Sequence, residues 1–360
     1  MDTSPVSLEL LAPGCDAKEV LISGSFNEWI TSSGVVRLSR VGPGYYRGEA
    51  SWPRGVVRYK YHLGDWDHEE LDAWGSRRTA DRVLEVGGEA LTVRDEVPQF
   101  LRDGLYYRAE LLPRIEPLPG NLPLPAPFAT RRIAALLPAD YDRGARRYPV
   151  LYLQDGQNLF DEFAPYGNWE LDKRLAWLAE RGLGDFIVVA IDHGADKRIA
   201  EYAPPRKTRV ARGQADAYAA FLADHLKPLI DRTYRTFPGR SNTAVGGSSM
   251  GALASLYVAM TRGDTFGAAM LLSPSIWVDP EMPDRWPREQ VGDTRVFLAG
   301  GMLESKGSAA TFARLADDIA AASTRRRRVY LRTHFEPTGR HAEADWGRVF
   351  PRAAAYLFGR

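Results

Sequence analysis

The chain has 360 residues, 44% of them hydrophobic, which suits a globular protein with a sizeable core. Its 47 lysines and arginines nearly balance its 46 aspartates and glutamates, so no overall field attracts it to nucleic acid or an anionic membrane. The single cysteine, Cys15, excludes a disulfide framework, and the six histidines show no zinc-ligand spacing. We therefore expect neither a metal nor another cofactor, and the oligomeric state stays open.

The N-terminal region predicts short strands and no membrane span. No basic segment precedes a long apolar one, and no window approaches the roughly 20 apolar residues of a transmembrane helix, so we expect a cytoplasmic location. Residues 57–62 alternate with period two, and clusters of glycine and proline separate similar runs. The pattern predicts a small antiparallel β-sandwich over residues 1–97, with strands at 19–23, 35–38, 45–50, 56–63 and 82–86.

Residues 98–128 predict a linker between two domains. Prolines occur there at positions 113, 117, 119, 123, 125 and 127, without a helical or strand period. Because proline fixes φ and lacks a backbone donor, we expect an extended connector.

Residues 129–360 predict strands that alternate with helices, which is typical of a mostly parallel sheet covered on both faces. We expect an α/β doubly wound domain with its reactive groups at the carboxyl ends of the strands. The expected strands are 132–137, 149–154, 186–192, 243–246, 268–273, 295–299 and 327–333. The expected helices are 171–181, 214–230, 252–260, 308–322 and 344–357.

The motif Gly247-Ser248-Ser249-Met250-Gly251 matches G-x-S-x-G, a tight strand-to-helix turn that presents its central serine. An apolar strand precedes it and a helix follows, and its glycines remove Cβ atoms that would clash in the turn. Either serine is also a suitable helix N-cap, but capping does not account for the flanking glycines. We expect Ser249 to be a nucleophile.

A serine nucleophile needs a base and a carboxylate that orients the base, in the chain order Ser, acid, His. Both His334 and His341 follow Ser249, and His341, in a polar turn after the last strand, is preferred to His334, which lies at a strand end. Glu304 follows the carboxyl end of the strand 295–299 and is the preferred acid. The other acids considered are Asp279, Asp293, which precedes that strand, and Glu343, which is near His341 only in sequence.

The oxyanion formed during acyl transfer needs preorganised donors. The first expected donor is the backbone N–H of Met250, immediately after the nucleophile. The second is a backbone N–H of Gly156 or Gln157, in the loop after the strand 149–154.

Five blocks of the chain resemble the esterase D-like family of α/β-hydrolases, which includes enterochelin, feruloyl and acetylxylan esterases. They are "YLQDGQNLFD" (152–161), "GGSSMGALASL" (246–256), "LSPSIW" (272–277), "GGMLES" (300–305) and "GRHAEADW" (339–346). The resemblance implies an α/β-hydrolase fold with Ser249, Glu304 and His341 as nucleophile, acid and base. The chain departs from the family pattern at Ala252, often a glycine, and at Glu304, an aspartate in many relatives.

The N-terminal segment "VLISGSFNEW" (20–29) resembles the immunoglobulin-like modules that precede glycogen-branching enzymes and some esterases. In such modules exposed tryptophans stack on sugars, which makes Trp29, Trp66 and Trp74 either glycan contacts or core residues. The resemblance also allows this region to shape the substrate pocket.

Together these features predict a serine carboxylesterase for an intracellular small-molecule ester, such as a siderophore or another acyl or aryl conjugate. Four residues after expected strand ends are candidate substrate contacts: Trp169, Arg198, Glu201 and Trp277. One alternative is a carbohydrate esterase for feruloyl or acetyl groups, guided by a glycan-binding module. Another is a glycan-binding protein without catalytic activity. Acyl transfer and amide cleavage would use the same residues.

Overall fold

The structure, a computed structural model, describes residues 2–77, 80–118, 128, 130–208, 210, 212–288, 290 and 292–359. The chain divides into two units, Met1–Arg108 and Ala109–Arg360. This division falls inside the segment predicted as a linker, residues 98–128.

The first unit is built from strands, and seven of them share one sheet. The sheet has the order β7-β5-β2-β3-β4-β1-β8, and β6 pairs with β9 in a separate ladder. The strands are β1 (Thr3–Leu11), β2 (Glu19–Gly24), β3 (Val36–Gly42), β4 (Tyr45–Pro53), β5 (Gly55–His62), β6 (Glu70–Leu71), β7 (Arg82–Val86), β8 (Leu91–Glu96) and β9 (Gln99–Phe100).

Side chains alternate between buried and exposed along β1 and β4, so one face of the sheet covers a core that includes Tyr46, Trp52 and Tyr61. The purely antiparallel arrangement expected for this region is wrong at one pair, because β1 and β8 run parallel. Neither of these two strands was predicted. The immunoglobulin-like character of the unit stays a prediction.

The second unit contains an eight-stranded sheet of order β10-β11-β13-β12-β14-β15-β16-β17. The pairs β10–β11 and β11–β13 are antiparallel and the other pairs are parallel, so the expected mostly parallel sheet is confirmed. The strands are β10 (Arg114–Pro117), β11 (Ile133–Leu137), β12 (Val150–Gln154), β13 (Ile187–Ile191), β14 (Thr243–Ser248), β15 (Ala268–Leu272), β16 (Thr294–Gly301) and β17 (Val329–Glu336).

Strand β10 corrects part of the linker prediction. Its residues pair with β11 at the edge of the sheet instead of forming a free connector. Proline is tolerated on an edge strand because no neighbour needs its missing donor, which explains how Pro117 takes part. The prolines at 119, 123, 125 and 127 lie outside the described residues.

Helices connect the parallel strands, as in other layered α/β proteins. A π-helical segment, Phe221–Leu226, joins α3 to α4, and α2 was not expected from the sequence. The helices are α1 (Leu171–Glu180), α2 (Arg198–Tyr202), α3 (Ala215–Ala220), α4 (Lys227–Thr233), α5 (Ser249–Thr261), α6 (Ser308–Ala321) and α7 (Glu343–Phe358).

Strands β12, β14, β15 and β16 are parallel and adjacent, so their carboxyl ends meet at one edge of the sheet. Every residue of β12, β14 and β15 is buried, which holds the loops that follow them on a rigid base. Within the described ranges, no helix is long and apolar enough to cross a membrane.

Candidate active site

The turn from β14 to α5 places Ser249 in a left-handed backbone conformation, with φ of 53°. A non-glycine residue in this region costs of the order of 1–3 kcal/mol, so the surrounding structure must hold the turn. Close packing does so: a Cβ at Gly251 would lie 2.9 Å from the carboxylate of Asp155, and one at Gly247 would lie 3.1 Å from Cβ of Gln154. Ser248 occupies the N-cap position of α5 but makes no capping hydrogen bond through its side chain.

Three side chains from separate segments of the chain form a hydrogen-bonded chain at this edge of the sheet. Ser249 Oγ lies 2.9 Å from His341 Nε2, and His341 Nδ1 lies 2.8 Å from Glu304 Oε2. Ser249 Oγ also lies 3.2 Å from the hydroxyl of Ser275. The three residues predicted as nucleophile, base and acid are therefore in direct contact.

Glu304 has a full set of donors. Its Oε1 accepts the backbone N–H of Gly301 at 2.7 Å and the hydroxyl of Ser273, while Oε2 faces His341. Burial acts to raise the pKa of Glu304, but these hydrogen bonds outweigh it and lower the pKa. Ser273 in turn accepts from Trp346 Nε1 at 2.8 Å, so the ionised carboxylate is fixed in orientation.

The other candidates for base and acid lie elsewhere. His334, in β17, is 3.1 Å from the guanidinium of Arg352. Asp279 is buried and pairs with Arg285. Asp293 precedes β16, at the opposite end of that strand from Glu304.

The two expected sources of oxyanion donors are the first turns of two helical segments. Met250 is the second residue of α5, and Gln157 is the second residue of a short 3-10 helix, Gly156–Asn158, that follows β12. N–H groups in the first turn of a helix have no partner within that helix and favour negative charge. Gly156 is tightly packed, since a Cβ there would lie 2.7 Å from the Asp192 carboxylate.

A buried ion pair supports the loop after β12. Asp155 is 3% exposed and has a φ of 60°. Its two carboxylate oxygens accept from Arg198 at 2.7 and 2.8 Å. This pairing connects the loop to α2.

A cleft of about 770 Å³ opens at Ser249 and His341. Its lining is mixed: Tyr166 and Ile199 contribute apolar surface, and polar groups include Arg198, Gln157 and Glu343. A cleft of this size accommodates a ligand the size of a typical small molecule.

The four predicted substrate contacts lie in different environments. Arg198 lines the cleft and Trp277 is 53% exposed, but Trp277 is not among the described residues that line the cleft. Trp169 and Glu201 are each 1% exposed, which does not fit direct contact with substrate. Glu201 instead pairs with Arg131 through two bonds of 2.8 Å, and Trp169 donates its indole N–H to Glu343.

Sequence reasoning missed the supporting contacts of the site. The roles of Ser273 and Trp346 behind Glu304, and of Asp155 behind the loop after β12, depend on contacts between distant segments. Ser273 and Asp155 directly follow strand ends, but Trp346 lies inside α7 and has no such signal. Among the described residues, no group of three or more His, Cys, Asp or Glu side chains could hold a metal ion.

Solved structures with similar folds agree with this architecture. The enterobactin esterase of Shigella flexneri, solved in the presence of enterobactin, aligns with 98% of this chain and 92% of its own at 15% identity and a TM-score of 0.53. The BES protein of Bacillus cereus aligns with 68% of this chain and 94% of its own at 18% identity and a TM-score of 0.51. At these identities the similarity defines an α/β hydrolase-like fold.

The family follows from the sequence match. The family model described as "Putative esterase" matches residues 128–357, so the chain belongs to this family and is an esterase. This confirms the membership predicted from the five sequence blocks. It also removes the alternative of a glycan-binding protein without catalytic activity.

Curated relatives share only part of their length with the chain. The siderophore triacetylfusarinine C esterase of Aspergillus fumigatus is 29% identical over 146 residues, which are 38% of this chain and 48% of that protein. The uncharacterized protein YbbA of Bacillus subtilis is 22% identical over 183 residues, 49% of this chain and 70% of that protein. An endo-1,4-beta-xylanase/feruloyl esterase of Xylanibacter ruminicola is 27% identical over 143 residues, 38% of this chain and 18% of that protein.

Proposed function

We propose that the protein hydrolyses a carboxylic ester through an acyl-enzyme, with Ser249 as nucleophile, His341 as general base and Glu304 as the acid that orients it. The observation that carries the proposal is the hydrogen-bonded chain from Ser249 Oγ through the His341 ring to Glu304, whose first two members line a cleft. A serine hydroxyl becomes a nucleophile only when a base removes its proton, and this contact supplies one.

The mechanism follows from the order of these contacts. When Nδ1 of His341 carries the proton donated to Glu304, Nε2 has a free lone pair that accepts the Ser249 proton. The serine oxygen attacks the ester carbonyl, and the N–H groups of Met250 and of Gln157 or Gly156 stabilise the oxyanion. His341 then protonates the leaving alcohol, and water repeats the sequence on the acyl-enzyme.

We propose a small-molecule ester as substrate, such as a siderophore or another acyl or aryl conjugate. The cleft supports this choice, because its size suits a small ligand and its lining combines apolar side chains with Arg198. A relative named as a siderophore esterase and another named as an iron(III) salmochelin esterase support it as well. A cytoplasmic location remains part of the proposal.

A second candidate is a carbohydrate esterase for feruloyl or acetyl groups. One observation favours it: Trp29 and Trp66 in the first unit are partly exposed, with ring centroids 6.2 Å apart. Adjacent aromatic rings of this kind can stack on sugars. Trp74 is also partly exposed. Affinity electrophoresis in soluble glucan, with Trp29→Ala and Trp66→Ala as comparisons, tests this candidate.

Hydrolysis of p-nitrophenyl acetate, a feruloyl ester and a catecholate ester tests the main proposal. We expect the wild type to cleave at least one of them, and Ser249→Ala to lose this activity. Ser248→Ala should retain most of it, because the Ser248 side chain is not a member of the hydrogen-bonded chain of Ser249, His341 and Glu304. Undiminished hydrolysis by Ser249→Ala would disprove the assignment.

A further inference from the structure

The cleft contains an acidic side chain that the mechanism above does not use. Glu343 is the first residue of α7, two residues after His341, and it lines the cleft although it is only 8% exposed. A carboxylate this buried must be paired with donors, since an unsatisfied buried charge is costly.

Two donors from other segments satisfy Glu343. Its Oε2 accepts the indole N–H of Trp169 at 2.7 Å, and its Oε1 accepts the side-chain amide of Asn158 at 2.9 Å. Asn158 is the last residue of the 3-10 helix that contains Gly156 and Gln157.

The donors are themselves held in place. The backbone N–H of Trp169 donates to the carbonyl of Asn158 at 3.0 Å, and the Trp169 side chain is 1% exposed. Gly347, one turn further along α7, packs so closely that a Cβ there would lie 2.3 Å from the Trp169 carbonyl oxygen. Glu343 therefore joins the segment that carries His341 to the loop that carries the expected oxyanion donors.

We propose that Glu343 is a positioning residue: its ionised carboxylate keeps His341 and the N–H donors of the Gly156–Asn158 helix at a fixed separation. This inference rests on the function proposed above. Because acyl transfer requires the base and the oxyanion donors to meet the same carbonyl group, a small change in their separation is expected to slow the reaction.

The charge state of Glu343 is sensitive to pH. The pKa of Glu343 is raised to about 7, chiefly by burial and also by the charge of Asp155, although the bonds from Trp169 and Asn158 and the charge of Arg198 act to lower it. Below this pKa the carboxyl group gains a proton and becomes a weaker acceptor for both donors. The positioning effect is therefore present above about pH 7 and lost as the pH falls.

The test compares kcat and KM of the wild type and Glu343→Gln between pH 5 and pH 9 on the ester that the wild type cleaves. The glutamine amide has one acceptor and one donor group, so it can accept from only one of Trp169 and Asn158. We expect kcat to fall roughly 10- to 100-fold, which is the effect of losing one hydrogen bond to a charged group. KM should change less than about two-fold, because the substrate is not the partner of Glu343 in this proposal. The matched control is Glu281→Gln, whose side chain is 74% exposed, and it should match the wild type.

A second variant keeps the test decisive if Glu343→Gln folds poorly. Trp169→Phe preserves the aromatic ring but removes the indole N–H, so the carboxylate loses a donor and its pKa should rise. In Trp169→Phe we expect the fall in kcat at acid pH to begin at a higher pH than in the wild type. In Glu343→Gln the part of this fall that comes from protonation of Glu343 should be absent. Thermal unfolding of each variant separates these effects from loss of fold.

Two results would overturn the inference. Unchanged kcat and pH profiles in Glu343→Gln and Trp169→Phe would show that the contact has no role in the reaction. A raised KM with normal kcat would show that Glu343 contacts substrate instead. Ser249→Ala, measured alongside, separates the two proposals: if that variant is inactive while Glu343→Gln behaves as wild type, only the positioning role fails.

Discussion

Replacing Glu304 with glutamine should reverse the tautomer of His341. The Oε1 position accepts from Gly301 N–H and the Ser273 hydroxyl, so the carbonyl oxygen of a glutamine will occupy it. Its NH₂ group then replaces Oε2, 2.8 Å from His341 Nδ1. Because NH₂ only donates, Nδ1 must accept, the ring proton moves to Nε2, and Nε2 can no longer accept the proton of Ser249.

The expected loss in kcat is about 10³- to 10⁴-fold, the size of effect seen when the orienting carboxylate of a serine triad is neutralised. This corresponds to about 4–6 kcal/mol of transition-state stabilisation. Residual activity should persist, because the oxyanion donors and the cleft are unchanged.

Steady-state hydrolysis of a p-nitrophenyl ester at pH 8 measures this effect, with kcat and KM determined separately. Glu336→Gln is the matched control, since Glu336 also pairs with a histidine, His334, at 3.4 Å but is not among the described residues that line the cleft. Its kcat should stay within about two-fold of wild type. A Glu304→Gln enzyme within ten-fold of wild type would refute the reasoning.

Two further predictions concern stability, measured by chemical denaturation of purified variants. Arg131→Met leaves the buried carboxylate of Glu201 without its guanidinium partner and should lower the free energy of unfolding by about 3–5 kcal/mol. Its control is Arg314→Met, at an exposed ion pair on α6, which should change the free energy of unfolding by less than about 1 kcal/mol. Gly251→Ala places a Cβ 2.9 Å from the Asp155 carboxylate, so it should lower the free energy of unfolding by about 1–3 kcal/mol and should also reduce activity. Its control is Gly144→Ala, where the added Cβ has nothing within 4 Å and should change neither. If a variant and its control changed the free energy of unfolding by the same amount, the result would contradict the packing described for that site.

The sequence predicted the parallel sheet well because its signal is local. The buried strands β13 and β15 are unbroken apolar runs, and β12 is one up to its last residue, Gln154. Helices α1 and α6 lie within one residue of their expected ends. Strand β10 was missed because prolines obscure its pattern, although an edge position tolerates them.

Within the site, chain order and position next to strand ends were enough to predict that Ser249, Glu304 and His341 lie together. They were not enough to tell which way a side chain points. Trp169 and Glu201 were expected to contact the substrate, but both are buried. Trp169 bonds to Glu343, which is 174 residues away in the chain, and Glu201 pairs with Arg131, which is 70 residues away.

Glu343 illustrates the same limit. Its closeness to His341 in sequence argued against it as the triad acid, and Glu304 indeed contacts the histidine. Its bonds to Asn158 and Trp169 depend on the fold bringing α7 to the loop after β12, which no local pattern reports.

The central claim is that Ser249 is a nucleophile activated by His341, and covalent labelling tests it most directly. The protein is treated with a fluorophosphonate, digested, and its modified residue located by fragmentation mass spectrometry. We expect a single adduct on Ser249 and not on the adjacent Ser248, no adduct in Ser249→Ala, and much slower labelling in Glu304→Gln. An adduct on another residue, or a wild type that hydrolyses esters without labelling at Ser249, would contradict the account.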